Sequence, residues 1–281
     1  MNYLDCISVA NMRESDRKTI EGGVPSLTLM YRAAMGVYRA AAWHGDIAIA
    51  VGSGNNGGDG FALAYILKSN GIGCRVVTLS DRLSPDSAHF AQRAKALGVP
   101  VAPYAKGAFA DADVVVDCLL GTGFHGAVRE PYASAIREVN AAGARVISVD
   151  INSGMNGDTG EAALAVRSDL TVTIGFVKNG MLAANAGDHM KRLVVTDIGI
   201  ILDRAENKIA AAWPDDRATP ENVLPCPAYL DMTPIDTRDV AYASRETEHM
   251  DVLRDCFEAE ARTAITQERD KPKEDDCGSG R

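Results

Sequence analysis

The chain has 281 residues and a formal net charge of −9, from 29 Lys and Arg against 38 Asp and Glu residues. Its hydrophobic fraction of 46% is too high for a wholly disordered protein, and no apolar run approaches the roughly 20 residues of a membrane-spanning helix. The six cysteines lie far apart without a C-x-x-C motif, which argues against a zinc site and against a disulfide framework. With no signal-peptide pattern at the N-terminus, the sequence predicts a soluble, cytoplasmic protein.

The charge is unevenly distributed along the chain. Residues 203–281 hold 19 acidic and 11 basic side chains, whereas residues 1–202 hold 19 and 18 and also contain 24 of the 26 glycines. The sequence therefore predicts a nearly neutral domain over 1–202 and an acidic C-terminal extension over 203–281. Neither part has the basic excess that neutralises nucleic-acid phosphates, so nucleic-acid binding is disfavoured, as is membrane insertion.

Taken in chain order, helical periodicity comes first and strand–helix alternation follows. Apolar residues at helical spacing predict helices over about 8–20 and 27–43. From residue 47, short runs rich in Val and Ile lack polar alternation, as is typical of strands buried on both faces. The predicted strands are 47–51, 74–79, 114–117, 146–149, 170–174 and 193–195. The predicted helices between them are 60–70, 85–97, 130–142 and a weaker one after 160.

Several local signals fix the ends of these helices. Ser84-Pro85 is a good helix start, and Gly71, Gly98 and Gly143 are plausible stops. The alternation predicts an α/β protein, a Rossmann-like three-layer sandwich with a mostly parallel central sheet. Beyond residue 203 the pattern degrades into a partly helical or disordered tail. An amphipathic stretch over 245–266 precedes a charged terminus that we expect to be disordered.

A glycine-rich segment directly follows the first predicted strand. It runs Gly52-Ser-Gly-Asn-Asn-Gly-Gly-Asp-Gly60 and opens a predicted helix. Glycines let backbone amides approach an anion, and a helix N-terminus favours phosphate, so the segment predicts a phosphate-binding site. One alternative is a tight structural turn. Another is a dehydrogenase fingerprint, which would need a ribose-binding acid near Asp81.

Two further strand ends carry an aspartate followed by small or polar residues. Asp117 precedes Gly121-Thr-Gly-Phe-His-Gly126, and Asp150 precedes Ile-Asn-Ser153-Gly. Ligands of a doubly wound sheet bind at the carboxyl ends of the strands near the topological switch point, so both loops are candidates for ligand binding. The structural alternatives are that Asp117 caps its loop and that His125 is merely solvated.

The oxygen-bearing side chains of these loops suit a hard cation. Asn56, Asp117 and Ser153 supply an amide, a carboxylate and a hydroxyl oxygen. A set with a single negative charge favours a monovalent ion over zinc.

In combination, the segments resemble the NAD(P)H-hydrate epimerase family, the epimerase half of the nicotinamide-nucleotide repair system. The resemblance covers about residues 8–202, in order and with plausible spacing. The matching stretches are Met12–Arg17, Gly23–Leu27, Gly54–Gly60, Asp117 with Gly121–Gly123, Asp150–Gly154, Asp158–Gly160, Thr173–Lys178 and Asp197–Gly199.

The resemblance implies an isomerase. The substrate would be NADH or NADPH hydrated at C6 of the nicotinamide ring, and the enzyme would interconvert its R and S epimers. Asp150 would be the catalytic acid/base. Potassium, one ion per subunit, would be bound by Asn56, Asp117 and Ser153. The implied substrate-binding residues are Asn55, Asn56, Gly57, Gly58, Asp59, Gly121, Thr122, Gly123, Phe124, His125, Gly126, Ala127 and Asp150.

The resemblance also implies partners and shows departures. It implies a homodimer and a separate dehydratase that acts on the S form; with only 79 residues beyond 202, we expect no dehydratase activity here. Asn152 and Val177 stand where the family usually has Pro, so we expect a less rigid loop around Asp150. Residues 31–34 also depart from the family pattern in a helix expected to face the ligand or a dimer partner.

Two other functions stay open at this point. One is a catalytically idle ligand-binding or scaffold protein on the same fold, against which the intact Asp117, Asp150 and Ser153 argue. The other is an NAD(P)-dependent oxidoreductase, which lacks an obvious acid/base set for hydride transfer.

Overall fold

A computed structural model describes residues 2–211 and 235–236. The strands are β1 (Asn2–Ile7), β2 (Ile47–Val51), β3 (Arg75–Thr78), β4 (Val101–Pro103), β5 (Val114–Cys118), β6 (Arg145–Val149), β7 (Leu170–Ile174), β8 (Val177–Lys178), β9 (Leu193–Asp197), β10 (Asn207–Ala211) and β11 (Ile235–Asp236). The α-helices are α1 (Val9–Glu21), α2 (Ser26–Ala40), α3 (Asn55–Ser69), α4 (Pro85–Ala96) and α5 (Tyr132–Ala141). Two short 3₁₀ helices cover Asn179–Leu182 and Ala186–Asp188.

Eight strands form the central sheet, in the order β11-β9-β7-β6-β5-β2-β3-β4, and every neighbouring pair is parallel. From β2 the chain builds outwards through β3 to β4, then returns to β5 on the other side of β2 and builds outwards again. The topological switch point therefore lies between β2 and β5, where Val51 pairs with Cys118. This arrangement confirms the predicted α/β fold and places a ligand crevice at this point of the sheet.

Helices cover both faces of the sheet. On one face, α2, α3 and α4 pack against Ile49, Val116 and other inward side chains of the strands. On the other face, Ala135, Ile136 and Val139 of α5 pack against Ala48, Val115 and their neighbours. The β2 and β5 strands are buried along their whole length, as the runs of Val and Ile predicted.

A second, smaller sheet has the order β10-β1-β8. β1 pairs antiparallel with β10, which lies beyond residue 202, and parallel with β8. Its apolar side chains pack with Met155, Leu193 and Val195 on the flank of the central sheet. β8 matters for the site because it follows β7 after a tight turn through Gly175 and carries Lys178 back beneath the end of β7.

Most predicted elements are confirmed, with two corrections. Helix α3 begins at residue 55 and not at 60, so most of the glycine-rich segment is helical. The helix expected after residue 160 is absent from the described chain. There the backbone bonds elsewhere: Val166 N donates to Ser153 O at 3.0 Å, and Arg167 N donates to Asn140 Oδ1 at 2.8 Å.

The amphipathic stretch predicted over 245–266 and the charged terminus lie outside the described residues. None of the helices that the structure describes has the length and apolarity needed to cross a membrane.

Candidate active site

A cleft of about 490 Å³ opens at the carboxyl ends of β2 and β5. Its walls are α1, α2, the first turn of α3 and the loops that follow β5 and β6. The residues lining it are Met12, Arg13, Asp16, Ile20, Ser26, Leu29, Met30, Ala33, Ser53, Gly54, Asn55, Asn56, Asp59, Asp86, Leu119, Leu120, Gly121, Thr122, Gly123, Phe124, Asp150, Ile174, Ile198 and Ile200. The cleft therefore lies where the strand order predicted it, and α2 lines it through Leu29, Met30 and Ala33.

The N-terminus of α3 points into this cleft. Gly54 is the N-cap residue, so the amides of the first helical turn have no partner within the helix and face the cleft. Two glycines allow this close approach to the sheet. A Cβ on Gly57 would overlap the carbonyl oxygen of Gly52, and one on Gly60 would lie 2.7 Å from Val51 Cγ1. The glycines thus serve helix packing at least as much as anion approach.

Asn56 is the exceptional polar side chain of the first turn of α3. It is only 8% exposed, yet neither Oδ1 nor Nδ2 has a hydrogen-bond partner. A Cβ on Gly121 would lie 3.2 Å from Asn56 Cβ, so the loop after β5 passes directly over the residue. A buried amide without a partner costs free energy, and both of its polar atoms are available to a ligand.

Asp117 lies at the end of β5, fully buried, and accepts four hydrogen bonds. Ser148 Oγ and Ser153 N each donate to Oδ2 at 2.9 Å. Ser153 Oγ and Leu119 N donate to Oδ1 at 2.5 and 3.2 Å. Burial raises the pKa of this carboxyl, and the four hydrogen bonds oppose the rise.

Ser153 links the ends of β5 and β6. Its hydroxyl accepts a hydrogen bond from Leu120 N at 2.8 Å and lies 3.1 Å from Leu120 O, in addition to its contact with Asp117. The loop carrying Gly121 and the loop carrying Asp150 are therefore held together by a buried polar cluster.

Asp150 follows β6 in a left-handed backbone conformation with φ of 66°. Among the described residues it is the one non-glycine residue with positive φ, which costs a residue of this type conformational energy. Its amide donates to Val172 O at 2.8 Å, which fixes the turn against β7. The side chain lines the cleft and is 15% exposed.

Lys178 forms an ion pair with Asp150 from beneath the cleft. Its side chain is fully buried, and Nζ donates to Asp150 Oδ1, to Thr173 Oγ1 at 2.9 Å and to Ile174 O at 2.9 Å. All three ammonium protons are therefore used. Asp150 Oδ2 lies on the opposite side, 3.8 Å from where a Cβ on Gly121 would be. One carboxylate oxygen is held by the protein and the other faces the cleft wall.

Asn152 is the most heavily bonded side chain of the β6 loop. Its Nδ2 donates towards Val166 O, Ser168 Oγ and His189 O at 3.0, 3.0 and 2.8 Å. Its Oδ1 accepts from Thr171 Oγ1 at 2.7 Å. The loop was expected to be less rigid without Pro at this position. The structure instead ties it to three neighbouring segments through the Asn side chain.

Four carboxyl groups share the cleft: Asp16, Asp59, Asp86 and Asp150. Burial, followed by the charges of Asp150 and Asp16, holds the pKa of Asp59 well above its ordinary value. Burial, followed by Asp150 and Asp86, raises the pKa of Asp16. Within the described residues no three Asp, Glu, His or Cys side chains are arranged to bind a metal ion, so these acids repel one another without forming a carboxylate cage.

Comparisons with known proteins agree on one family. The family model described as "YjeF-related protein N-terminus" matches residues 26–180. A protein of Limosilactobacillus fermentum named NAD(P)H-hydrate epimerase is 38% identical over 199 residues, which are 68% of this chain and 95% of the relative. The chain belongs to the NAD(P)H-hydrate epimerase family.

Two further comparisons extend this result. A protein of Coxiella burnetii named bifunctional NAD(P)H-hydrate repair enzyme Nnr is 34% identical over 213 residues, covering 73% of this chain but only 43% of the relative. The crystal structure of yeast ynu0, YNL200c, superposes with a TM-score of 0.57 at 22% identity, over 63% of this chain and 83% of the yeast chain. The similarity to the yeast structure concerns the fold alone.

The residues that the family resemblance implicated fall into three groups. Those lining the cleft are Asn55, Asn56, Asp59, Gly121, Thr122, Gly123, Phe124 and Asp150. Those buried just behind its wall are Gly57, Gly58, Asp117 and Ser153. Those outside the lining, on the exposed continuation of the β5 loop, are His125, Gly126 and Ala127; His125 Nδ1 lies 3.3 Å from Gly123 O.

Three site residues had no assigned role in the sequence. Lys178 lay in a matching stretch, but its contact with Asp150 depends on the turn between β7 and β8. Arg13 and Asp16 also lay in a matching stretch, and they line the cleft because α1 turns one face towards it. The periodicity of α1 was the available signal, since residues three and four apart share a helix face.

Proposed function

We propose that the chain is an epimerase that interconverts the R and S forms of NADH or NADPH hydrated at C6 of the nicotinamide ring. The observation that carries the proposal is the carboxylate of Asp150, which lies at a strand end in the cleft with one oxygen held by Lys178. The family relatives support the same reaction, and their names support neither an idle scaffold nor an oxidoreductase.

In this proposal, the N-terminus of α3 and the loop after β5 bind the dinucleotide. The first turn of α3, residues 55–59, presents backbone amides and a partial positive charge to the substrate phosphates. Residues 121–124 line the opposite wall, and 125–127 continue along its rim. Apolar side chains such as Leu29, Met30 and Ile198 provide a surface for the ring systems.

The chemistry requires one proton to move at the C6 oxygen. The C6–O bond breaks as the lone pair of the ring nitrogen forms the C=N bond. The oxygen leaves as water with a proton from the carboxylic acid form of Asp150, which thereby becomes the carboxylate paired with Lys178. Water then adds to C6 from the other face and returns a proton to Asp150, which inverts the centre. Lys178 keeps Asp150 oriented, and the left-handed backbone at Asp150 projects its carboxylate into the cleft.

We propose that Asn56, Asp117 and Ser153, near the ends of β2, β5 and β6, bind one potassium ion per subunit. Asn56 Oδ1 is a buried oxygen without a partner, and Asp117 and Ser153 add a carboxylate and a hydroxyl. This oxygen-only set with one negative charge has the chemistry of a monovalent cation site. When bound, the ion would supply positive charge near the substrate phosphates, while Asp117 and Ser153 keep the two loops together.

Three further expectations belong to the proposal. A separate dehydratase would consume the S form. A homodimer is expected, which the molar mass in solution would check. The cysteines of the described part, Cys6, Cys74 and Cys118, are free thiols, which supports a reducing compartment such as the cytoplasm.

The decisive experiment uses separated R and S hydrates of NADH and of NADPH. Each is incubated with the protein in potassium buffer and in a buffer whose monovalent cation is tetramethylammonium, and the epimers are resolved by chromatography. We expect either pure epimer to relax to the same mixture, faster with potassium. Failure to interconvert the epimers in both buffers, beyond the rate without protein, contradicts the proposal.

The route through departing water has its own test. In water enriched in ¹⁸O, each inversion at C6 should place a solvent oxygen on that carbon, which mass spectrometry of the product detects. Inversion with full retention of the original oxygen would instead require opening and re-closure of the ring at the C6–N bond.

A further inference from the structure

Helix α1 presents one charged and apolar face to the cleft. Met12, Arg13, Asp16 and Ile20 all line it, at spacings that place them on neighbouring turns of the helix. Of the described residues that line the cleft, Arg13 is the one with a cationic side chain, whereas four carry carboxyl groups.

Arg13 has no ion pair or hydrogen bond with any described residue, although Asp16 lies three positions along the same helix, where such pairs commonly form. Arg17, one turn further along the same helix, is paired. Arg17 donates to Glu14 and to Glu21 and so is paired on the outer surface. The free guanidinium of Arg13 is therefore not explained by the helix itself.

The guanidinium of Arg13 lies next to the loop that follows β5. A Cβ on Gly123 would lie 3.5 Å from Arg13 Nη2, so the guanidinium lies over this loop, and the residue is exposed. Bulky residues at 123 would displace it. The guanidinium thus stands at one wall of the cleft, with the amides at the N-terminus of α3 on another.

The charge of the cleft explains why a cation is needed there. Asp16, Asp59, Asp86 and Asp150 bring four carboxyl groups to the cleft, of which only Asp150 is paired with a described cation, Lys178. Under the proposed function, this site takes a substrate with several phosphate charges. Helix amides contribute only partial charges. A full positive charge at the mouth of the cleft offsets the repulsion.

We infer that Arg13 binds a phosphate group of the dinucleotide and is a substrate-recognition residue of this site. The inference rests on the proposed function. A guanidinium matches phosphate oxygens bidentately, and its fixed fork cannot be replaced fully by an ammonium group. The phosphate is either the pyrophosphate common to both substrates or the 2′-phosphate that only the NADPH hydrate carries.

The experiment compares Arg13→Gln and Arg13→Lys with Arg17→Gln as the matched control on the same helix. Loss of a charge-assisted hydrogen bond to phosphate corresponds to about 10- to 100-fold in binding. We expect Arg13→Gln to raise KM by that factor with kcat within about 2-fold, which is the signature of lost uniform binding. Arg13→Lys should recover part of the loss, and Arg17→Gln should match the unaltered protein.

Two substrates locate the phosphate. If Arg13→Gln raises KM equally for the hydrates of NADH and NADPH, Arg13 binds the pyrophosphate. If it raises KM only for the NADPH hydrate, Arg13 binds the 2′-phosphate. An unchanged KM for both, or a loss confined to kcat, overturns the inference.

Equilibrium binding separates this inference from the proposed reaction. Titration calorimetry with NAD⁺ and NADP⁺ needs no turnover, and Arg13→Gln should weaken the binding of at least NADP⁺ by a similar factor while Arg17→Gln does not. A protein without epimerase activity that still showed this difference in binding would contradict the proposed reaction. It would leave the binding of phosphate by Arg13 supported. Equal binding by all three variants overturns the role of Arg13 whatever the activity.

Discussion

Two buried asparagines have opposite surroundings, one in the cleft wall and one behind it. Asn152, on the side formed by the loops after β5, β6 and β7, is fully buried and has four partners. Asn56, on the side formed by α1 and the N-terminus of α3, is nearly as buried and has none. We call these the strand side and the helix side.

The contrast extends beyond the asparagines. On the strand side, Asp117, Ser153 and the Asp150–Lys178 pair are all held by hydrogen bonds. On the helix side, Arg13 has no described partner. A buried polar group that is left unsatisfied, such as the amide of Asn56, costs about 1–3 kcal/mol, so its retention indicates that a ligand completes it. The strand side is preorganised for chemistry, and the helix side is shaped for recognition.

The largest expected effect is on the strand side, at Asp150. Asp150→Asn keeps an oxygen that can accept from Lys178 and tolerates the left-handed backbone, but it cannot exchange a proton. We expect epimerisation to slow by about 10²- to 10⁴-fold, the usual contribution of a positioned acid/base. The rate of R-to-S conversion by chromatography measures it.

The control for this change is Asp81→Asn, which removes an exposed carboxylate from the loop after β3. It should leave the rate unchanged. If Asp150→Asn were as active as this control, Asp150 would not be the acid/base, and the preorganised strand side would serve only the fold.

The second prediction concerns stability on the strand side. Asn152→Ala removes four hydrogen bonds and leaves buried partners around it, so we expect the free energy of unfolding to fall by about 2–4 kcal/mol. Urea denaturation measures the change. Asn140 is the matched control, since its side chain makes two such bonds, to Ala165 O and from Arg167 N, in a half-buried position.

Asn140→Ala should therefore cost less than Asn152→Ala. If both variants lowered the free energy of unfolding equally, the network around Asn152 would stabilise the fold no more than an ordinary loop contact does. Because Asn152 lies between Asp150 and Ser153, we also expect Asn152→Ala to lower kcat more than it changes KM.

The third prediction tests the helix side with the same substitution. Asn56→Ala removes a buried amide that has no partner, and Ala is favoured within a helix, so we expect the free energy of unfolding not to fall and to rise by up to about 1–3 kcal/mol. Activity should nevertheless fall by about 10- to 100-fold, and the acceleration by potassium should disappear. A loss of stability as large as that of Asn152→Ala would show that Asn56 is a structural residue, and the contrast between the two sides would fail.

The sequence allowed the prediction of the strand side better than of the helix side. Val- and Ile-rich runs ending in Asp117 and Asp150 placed both carboxylates at the same edge of the sheet, because parallel strands end together. The first turn of α3 was interpreted as a loop, because four glycines between 54 and 60 lower helix propensity. Their packing against β2 and β5 outweighs that cost, which only the tertiary structure shows.

Long-range pairings explain the remaining differences. β1 pairs with β8 and β10, which lie more than 170 residues away in the sequence. No local sequence pattern predicts strands as short as these. The bonds of Asn152 reach residues 166, 168, 171 and 189, which come from separate segments. Side-chain networks of this kind depend on which segments meet, so the residue type alone did not reveal the bonds that hold this loop.

The smallest expected effect is a pH dependence on the helix side, at Asp59. Burial and the charges of Asp150 and Asp16 hold the pKa of this carboxyl well above its ordinary value, so the folded chain binds the proton more tightly than the unfolded chain. Its stabilising contribution is full below the unfolded pKa of about 3.9 and is lost as the pH rises through the folded pKa. Asp59→Asn removes this dependence.

The free energy of unfolding of Asp59→Asn minus that of the unaltered protein should therefore increase between pH 4 and pH 7. The gain follows from the raised pKa of Asp59, and the partial exposure of this group to solvent limits its size. Urea denaturation at both pH values, without potassium, measures it, and Asp81→Asn should show no such trend. Adding potassium should shrink the gain, because a bound cation favours the ionised carboxylate. A difference that is the same at both pH values would mean that the acids of the helix side are already compensated within the protein, and that this side is as complete without a ligand as the strand side.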